Sequence, residues 1–188
     1  MHLNNHKITQ AFFYLSILEE WATTNHNTIF LWDLKLEKIK AKISQINSTA
    51  INCIEEMCHL RCFAVSYTMK DLHKWLIVYR NDGLKVGSKL KLGLSGAQKI
   101  YYHKFTQTLL LVGNNTLPVY QIDPQSYDLS LLADMEGHQS VITSVTDLGD
   151  EFIVSGDDRG VLRIWNLSNL RCHQVLKIAS ALIELSNF

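Results

Sequence analysis

Proline is almost absent and glycine is sparse: the 188 residues hold two prolines and nine glycines. That excludes a collagen-like chain, a proline-rich linker and any long low-complexity segment. Charge of one sign is lacking as well. The 18 Lys and Arg are balanced by 18 Asp and Glu, so no net field steers the chain to nucleic acid or to an anionic membrane. No charge run marks a disordered tail. Cysteine is limited to Cys53, Cys58, Cys62 and Cys172, too sparse and uneven for the disulfide framework of a small secreted domain. A reducing compartment is expected, the cytoplasm first and the nucleus second. Long hydrophobic runs are missing too. The longest near the start, Ala11 to Leu18 with Ser16 inside it, is far too short to span a bilayer. Lys7 gives it a faint look of a signal peptide, but Glu19, Glu20 and Trp21 follow at once and no small-x-small cleavage site appears.

Helical periodicity is nearly absent. What is present is a 47% hydrophobic chain, ample for a packed core. Short β-branched and aromatic runs recur every ten residues or so, separated by Gly, Asn, Asp and Ser, which predicts an all-β protein. Four of these runs close on an aromatic followed by a polar residue: "TIFLWDL" at Trp32, "KWLIVYRN" at Tyr79, "LPVYQI" at Tyr120 and "VLRIWNL" at Trp165. The aromatics lie 47, 41 and 45 residues apart. A polar turn precedes each one, respectively Asn25-His26-Asn27, Lys70 to His73, Asn114-Asn115 and Asp157 to Gly160. Another apolar strand precedes each turn, "FIVSG" and "LLLVG" being the clearest. A period of this length is the mark of a propeller or solenoid.

The last unit, "GHQSVITSVTDLGDEFIVSGDDRGVLRIWNL" from Gly137 to Leu167, resembles one nearly complete WD repeat. It has the Gly-His pair, an alternating strand, a strand ending in Ser-Gly, a tight polar turn and a strand closing on Trp-Asn. "TTNHNTIFLWDL", Thr23 to Leu34, resembles the closing half of such a repeat and keeps Trp32-Asp33. The two middle units match in strand pattern and spacing, with Tyr in place of Trp. The resemblance implies a β-propeller of about four four-stranded antiparallel blades, over about residues 8–43, 48–92, 97–134 and 137–178, with a further strand begun at 180–188. In the fourth blade the strands are expected at about Val141 to Thr146, Glu151 to Ser155, Val161 to Leu167 and Cys172 to Ile178. Four blades are few for a closed ring, so the chain is expected to be part of a larger or incomplete propeller, completed by further blades or by self-association.

In this family a hydrogen-bonded chain usually links the His of Gly-His, a Ser or Thr five residues on, an Asp in the tight turn and the Trp. Carried over by position, these are His138, Thr143, Asp158 and Trp165. The turn position itself holds Arg159, which cannot accept a hydrogen bond. Either Asp158 takes the role through a shifted turn or the network is incomplete. A hydroxyl, an imidazole and a carboxylate also invite a hydrolytic reading, but triads are recognised by geometry, and bracing is expected. Cys53, Cys58, His59 and Cys62 fall outside the tight ligand pairs of structural zinc sites, so packing is expected there. In "GLKVGSKLKLGLSG", Lys85, Lys89 and Lys91 alternate with apolar residues, as on a solvated rim strand. The alternative is a basic stripe for an acidic partner.

WD-repeat domains generally bind peptides or other domains through the turns at one end of the blades. The resemblance therefore implies a non-catalytic scaffold or adaptor for protein–protein interaction. The alternative is a regulatory or substrate-recruiting segment of a larger enzyme complex. The candidate partner surface comprises Asn25, His26, Asn27, Asn114, Asn115, Gln139, Ser140, Asp157, Asp158 and Arg159. Charge reversal at Asp157 and Asp158 is expected to weaken partner binding without unfolding the chain. No enzyme activity, cofactor, metal, nucleic-acid partner or membrane insertion is expected.

Overall fold

Short apolar runs broken by polar turns satisfy their backbone groups most simply when each strand pairs with the next in sequence. The computed structural model does this throughout its described residues, 11–16, 20–33, 35, 38–45, 47–80, 85–93 and 97–178. The expected start of the first blade at residue 8 and the strand at 180–188 lie outside them. Among these residues the fold is all-β, with four four-stranded antiparallel sheets and one turn of 3₁₀ helix at Cys58–Leu60.

The chain divides into two compact units, Met1–Leu94 and Ser95–Phe188, each with two sheets. In the first unit, β1 (Ala11–Leu15), β2 (Glu20–Asn25), β3 (Thr28–Trp32) and β4 (Ile39–Ser44) form one sheet. Its second sheet is β5 (Ser48–Met57), β6 (Cys62–Met69), β7 (Lys74–Arg80) and β8 (Lys85–Gly93). The second unit holds β9 (Lys99–His103), β10 (Thr108–Val112), β11 (Leu117–Ile122) and β12 (Leu129–Met135), then β13 (Ile142–Asp147), β14 (Phe152–Asp157), β15 (Val161–Asn166) and β16 (Arg171–Lys177). Strands of the last sheet begin and end within two residues of the ranges expected from sequence.

Pairing within the four sheets repeats a detail that spacing alone could not show. The third and fourth strands change register beside each of the four aromatics, between Leu31 and Trp32, Ile77 and Tyr79, Val119 and Tyr120, and Ile164 and Trp165. In three sheets one extra residue of the outer strand bulges there: Lys40, Leu132 and His173. A bulge bends the strand and increases local twist, which makes room opposite the largest side chain of the row.

In the first unit, Ala22, Ile29, Leu31 and Ile43 of one sheet pack on Phe63, Val65, Tyr67, Ile77 and Tyr79 of the other. In the second unit, Leu110, Val112, Leu117 and Val119 meet Ile142, Ile153 and Trp165. Each such side chain, fully buried, stabilises the fold by about 1.5–3 kcal/mol, so continuous apolar strands are what this stacking of sheets requires.

Candidate functional site

Alternation along a strand decides which residues of "FIVSGDD" can meet His138. Ser155 and Asp157 are two apart on β14 and share a face, whereas Asp158 falls beyond the strand end. His138 Nδ1 lies 2.8 Å from Asp157 Oδ2, and its Nε2 lies 2.7 Å from Ser155 Oγ. The Trp165 indole N–H donates to the same Ser155 Oγ at 2.7 Å. Asp157 Oδ1 accepts the backbone N–H groups of Arg159 and Val161 at 3.0 and 2.9 Å. A carboxylate only accepts, so one direction fits all the partners: indole to hydroxyl, hydroxyl to Nε2, Nδ1–H to carboxylate. Burial lowers the His138 pKa, against the hydrogen bond and charge of Asp157, and this keeps the ring neutral as that direction requires. Burial would raise Asp157, but the N–H donors of Val161 and Arg159 and the His138 ring outweigh it and hold the carboxyl below its usual range.

Two of the four expected network members are thus replaced. His138 and Trp165 stand as expected, but the hydroxyl between them is Ser155 and the carboxylate is Asp157. Thr143 is the extra residue where the β13–β14 register shifts between Ile142 and Ser144, and its hydroxyl donates to the Gly156 carbonyl at 3.2 Å. Asp158 accepts instead from the Ser140 hydroxyl. The same geometry removes Asp157 from the candidate partner surface, because it is 1% exposed. Reversing its charge would break the brace, so a variant at Asp157 reports on the stability of this turn as well as on partner binding. The Gly of Gly-His has its own cause. Gly137 sits at φ +150°, and a Cβ there would lie 2.7 Å from Arg163 Nη1. Arg163 Nη2 donates to the Gly137 carbonyl at 2.7 Å while its guanidinium lies over the Trp165 ring.

The brace fixes a cluster of turns in the second unit. The Ile142 N–H donates to the Asn114 carbonyl at 2.8 Å, and the Asp158 N–H donates to the Val141 carbonyl at 3.1 Å. These bonds bring together the Asn114-Asn115 turn, the Gln139-Ser140 link and the Asp158-Arg159 turn. Asn115, Gln139, Asp158 and Arg159 are exposed, while Asn114 and Ser140 are half-buried. The first unit repeats the plan. The Gln45 N–H donates to the Asn27 carbonyl and the Lys70 N–H to the Asn47 carbonyl, tying the Asn25-His26-Asn27 turn and the Lys70 to His73 turn to the link between them. His26 is exposed, and Asn25 and Asn27 are half-buried.

Register shows how far each sheet shares the brace. In the first sheet, Thr23 and Asn25 stand where Ser155 and Asp157 stand, and the Trp32 indole donates to Thr23 Oγ1 at 2.8 Å. In the second, Val65 and Tyr67 take those places, and the Tyr67 hydroxyl donates to that of Tyr79 at 3.2 Å. In the third they are Leu111 and Gly113, where no polar brace can form. Sequence reasoning also missed a cavity of about 320 Å³ lined by Asn47, Met69, Lys70, Asp71, Trp75 and Lys89. Its signals were the polar turn at Lys70 to His73 and the lysines alternating on β8. Of those lysines, Lys89 lies over the Trp75 ring, 4.4 Å from its centre, and Lys91 is exposed.

Four meandering four-stranded sheets with recurring bulges define an all-β, propeller-like protein. No family model and no curated protein matches the chain. Chains of known structure that match number 1240, so the fold is widespread and by itself selects no activity. One of them is the crystal structure of Chaetomium thermophilum Raptor, with a TM-score of 0.68 and 12% sequence identity. The match covers 90% of this chain and 16% of that one, and the likeness is one of fold. Among the described residues, no helix is long and apolar enough to cross a membrane.

Proposed function

We propose that this chain is a non-catalytic protein–protein interaction scaffold built on WD-repeat-type blades. The observation that carries the reading is the brace behind the exposed turns. Ser155, His138 and Asp157 follow the hydroxyl–imidazole–carboxylate order of a hydrolase, yet all three are buried, and Ser155 Oγ is already engaged by the Trp165 indole. A nucleophile must reach a substrate, whereas a brace must be inaccessible and mutually satisfied. The arrangement supports bracing. What it holds in place is the turn cluster of Asn115, Gln139, Asp158 and Arg159, and loops on a rigid frame are where binding residues concentrate. Partners are proteins or peptides, with further blades or a second copy among them. The cytoplasm is the proposed compartment, and four unbridged cysteines are consistent with it.

A second reading is that the chain recruits substrates or regulators within a larger enzyme complex. It draws on the same exposed, braced turn cluster, which would serve a substrate-recruiting segment as well as an adaptor. One experiment addresses both. Tagged wild-type chain and the double variant Asp158→Lys, Arg159→Glu are compared for captured proteins by quantitative mass spectrometry, with far-ultraviolet circular dichroism as the folding control. Loss of specific captures by the folded variant is expected. Identical recoveries would refute the turn surface, and co-purified enzyme subunits would favour the second reading.

A further inference from the structure

We propose that the cavity beside Trp75 is a docking groove for an acidic peptide segment carrying an apolar side chain. This rests on the interaction reading above and moves it to a surface outside the residues assigned there. The groove is built at the strand ends of the second sheet. Trp75 is the second residue of β7 and is half-buried against the apolar core, so its position is fixed. Lys89 comes from the neighbouring strand β8 and lies over that ring, which sets an ammonium directly above an apolar floor. Lys70 and Asp71 come from the turn before β7, Met69 from the end of β6, and Asn47 from the link into β5. The Lys70 N–H donates to the Asn47 carbonyl at 2.9 Å, so the two walls are tied together before any ligand arrives.

Charge selects the class of ligand. Strand β8 reads "KVGSKLKLG", three lysines and no acid. The one carboxylate in the lining, Asp71, is turned to its own backbone, with Oδ1 accepting the His73 N–H at 3.1 Å. An acidic side chain meeting Lys70 and Lys89 would form charge-assisted hydrogen bonds, while a neighbouring apolar side chain covers Met69 and the indole. The cavity stands at the lower end of ligand pockets in size, enough for one or two side chains and small for a cofactor. A second, independent observation lies in the same turn. Leu72 is 67% exposed at φ +64°, a left-handed conformation that is strained for a leucine. The turn enforces it: the Leu72 N–H donates to the Met69 carbonyl and the Met69 N–H to the His73 carbonyl, each at 2.9 Å. An exposed leucine held in a strained turn beside a basic groove is a contact for a partner.

The test uses the full chain and fluorescein-labelled peptides of alternating Glu and Leu, Gln and Leu, or Lys and Leu, with a labelled oligo-deoxythymidine beside them. Fluorescence anisotropy should show the Glu–Leu peptide binding most tightly. The double variant Lys70→Glu, Lys89→Glu should weaken it by at least about tenfold, and Leu72→Ser by a few fold, with unchanged circular dichroism. Leu72 is exposed, so its variant keeps the test valid if the double variant fails to fold. Equal binding of the Gln–Leu peptide, tighter binding of the oligonucleotide, or Glu–Leu affinity untouched by the folded variants would overturn the groove. Failure here is separable from failure of the scaffold reading, because protein captures lost through Asp158→Lys, Arg159→Glu but kept by the groove variants leave the turn surface standing.

Discussion

Replacing Ser155 with alanine tests whether the buried polar chain is a brace. The serine is fully buried and its oxygen is the shared partner of two groups, the Trp165 indole N–H at 2.7 Å and His138 Nε2 at 2.7 Å. Alanine fits the space but leaves both nitrogens buried without that partner. Each orphaned polar group costs about 1–3 kcal/mol, and because the two share one hydroxyl the expected loss is about 3 kcal/mol rather than the full sum. At about 2–4 °C per kcal/mol for a chain of this length, the melting temperature should fall by about 6–12 °C. Urea titration followed by circular dichroism gives the loss, and the Trp165 indole N–H resonance reports the local change. Trp165→Phe alone should cost the fold its own increment, but in the Ser155→Ala background one of the two orphans is gone, so the pair should couple by about 1 kcal/mol or more. A loss under about 1 kcal/mol for Ser155→Ala, or strict additivity with Trp165→Phe, would refute the brace.

Three further outcomes follow from the same geometry. Thr143→Ala removes a half-buried hydroxyl whose bond is to a backbone carbonyl, so urea titration should find a loss of about 1 kcal/mol, well below that of Ser155→Ala; the reverse ranking would restore Thr143 to the network. The lowered His138 pKa means that the unfolded chain takes up a proton near pH 6.5 before the folded one does. Stability should therefore be full above that pH and decline as pH falls through it, with a further decline below about pH 3.8, where the unfolded Asp157 protonates first. Urea midpoints across this range measure the slope, which His138→Gln should reduce; a flat profile from pH 7 to 5 counts against a neutral buried ring. Gly137→Ala should lower the stability by about 1–3 kcal/mol, read from the urea midpoint, through strained φ and displacement of Arg163, and Arg163→Ala in the same chain should recover only the part due to the clash. An unchanged midpoint for Gly137→Ala would show that neither matters.

The strands and their grouping were legible because burial on both faces leaves continuous apolar runs such as Leu109 to Val112, and because a polar turn must separate them. The aromatics were legible for a related reason, since each stands at one register point of its sheet. The network was only half legible. His138 and Trp165 are large and come in recognisable pairs, but counting residues through the turn put the carboxylate at Asp158. The two-residue period of β14 would have corrected this, because Ser155 and Asp157 share a face and Asp158 does not. Thr143 could not have been excluded in this way, since a bulge resets the alternation and leaves no mark in the residues. The groove at Trp75 escaped because its six residues come from four segments, and only pairing brings them together.

What recurs among the four sheets is the register change beside the aromatic, a one-residue bulge in three of them, and what varies is the chemistry that secures it. Sheet four uses a complete polar chain, sheet one an indole–threonine bond, and sheet two a tyrosine pair extended by the Gln45 amide, which donates to the Tyr79 hydroxyl at 3.3 Å. Sheet three has Leu111 and Gly113 at those points and relies on packing. The register change therefore survives loss of the polar side chains on the second strand, which makes it and apolar stacking the primary determinants of the sheet and the polar chain a local reinforcement of one turn. A reinforcement needed for the fold itself would be required in all four. A complete chain, found only in the sheet whose turn carries exposed Asp158 and Arg159, is better explained by what that turn presents, since holding charged side chains in place lowers the entropy lost when a partner binds.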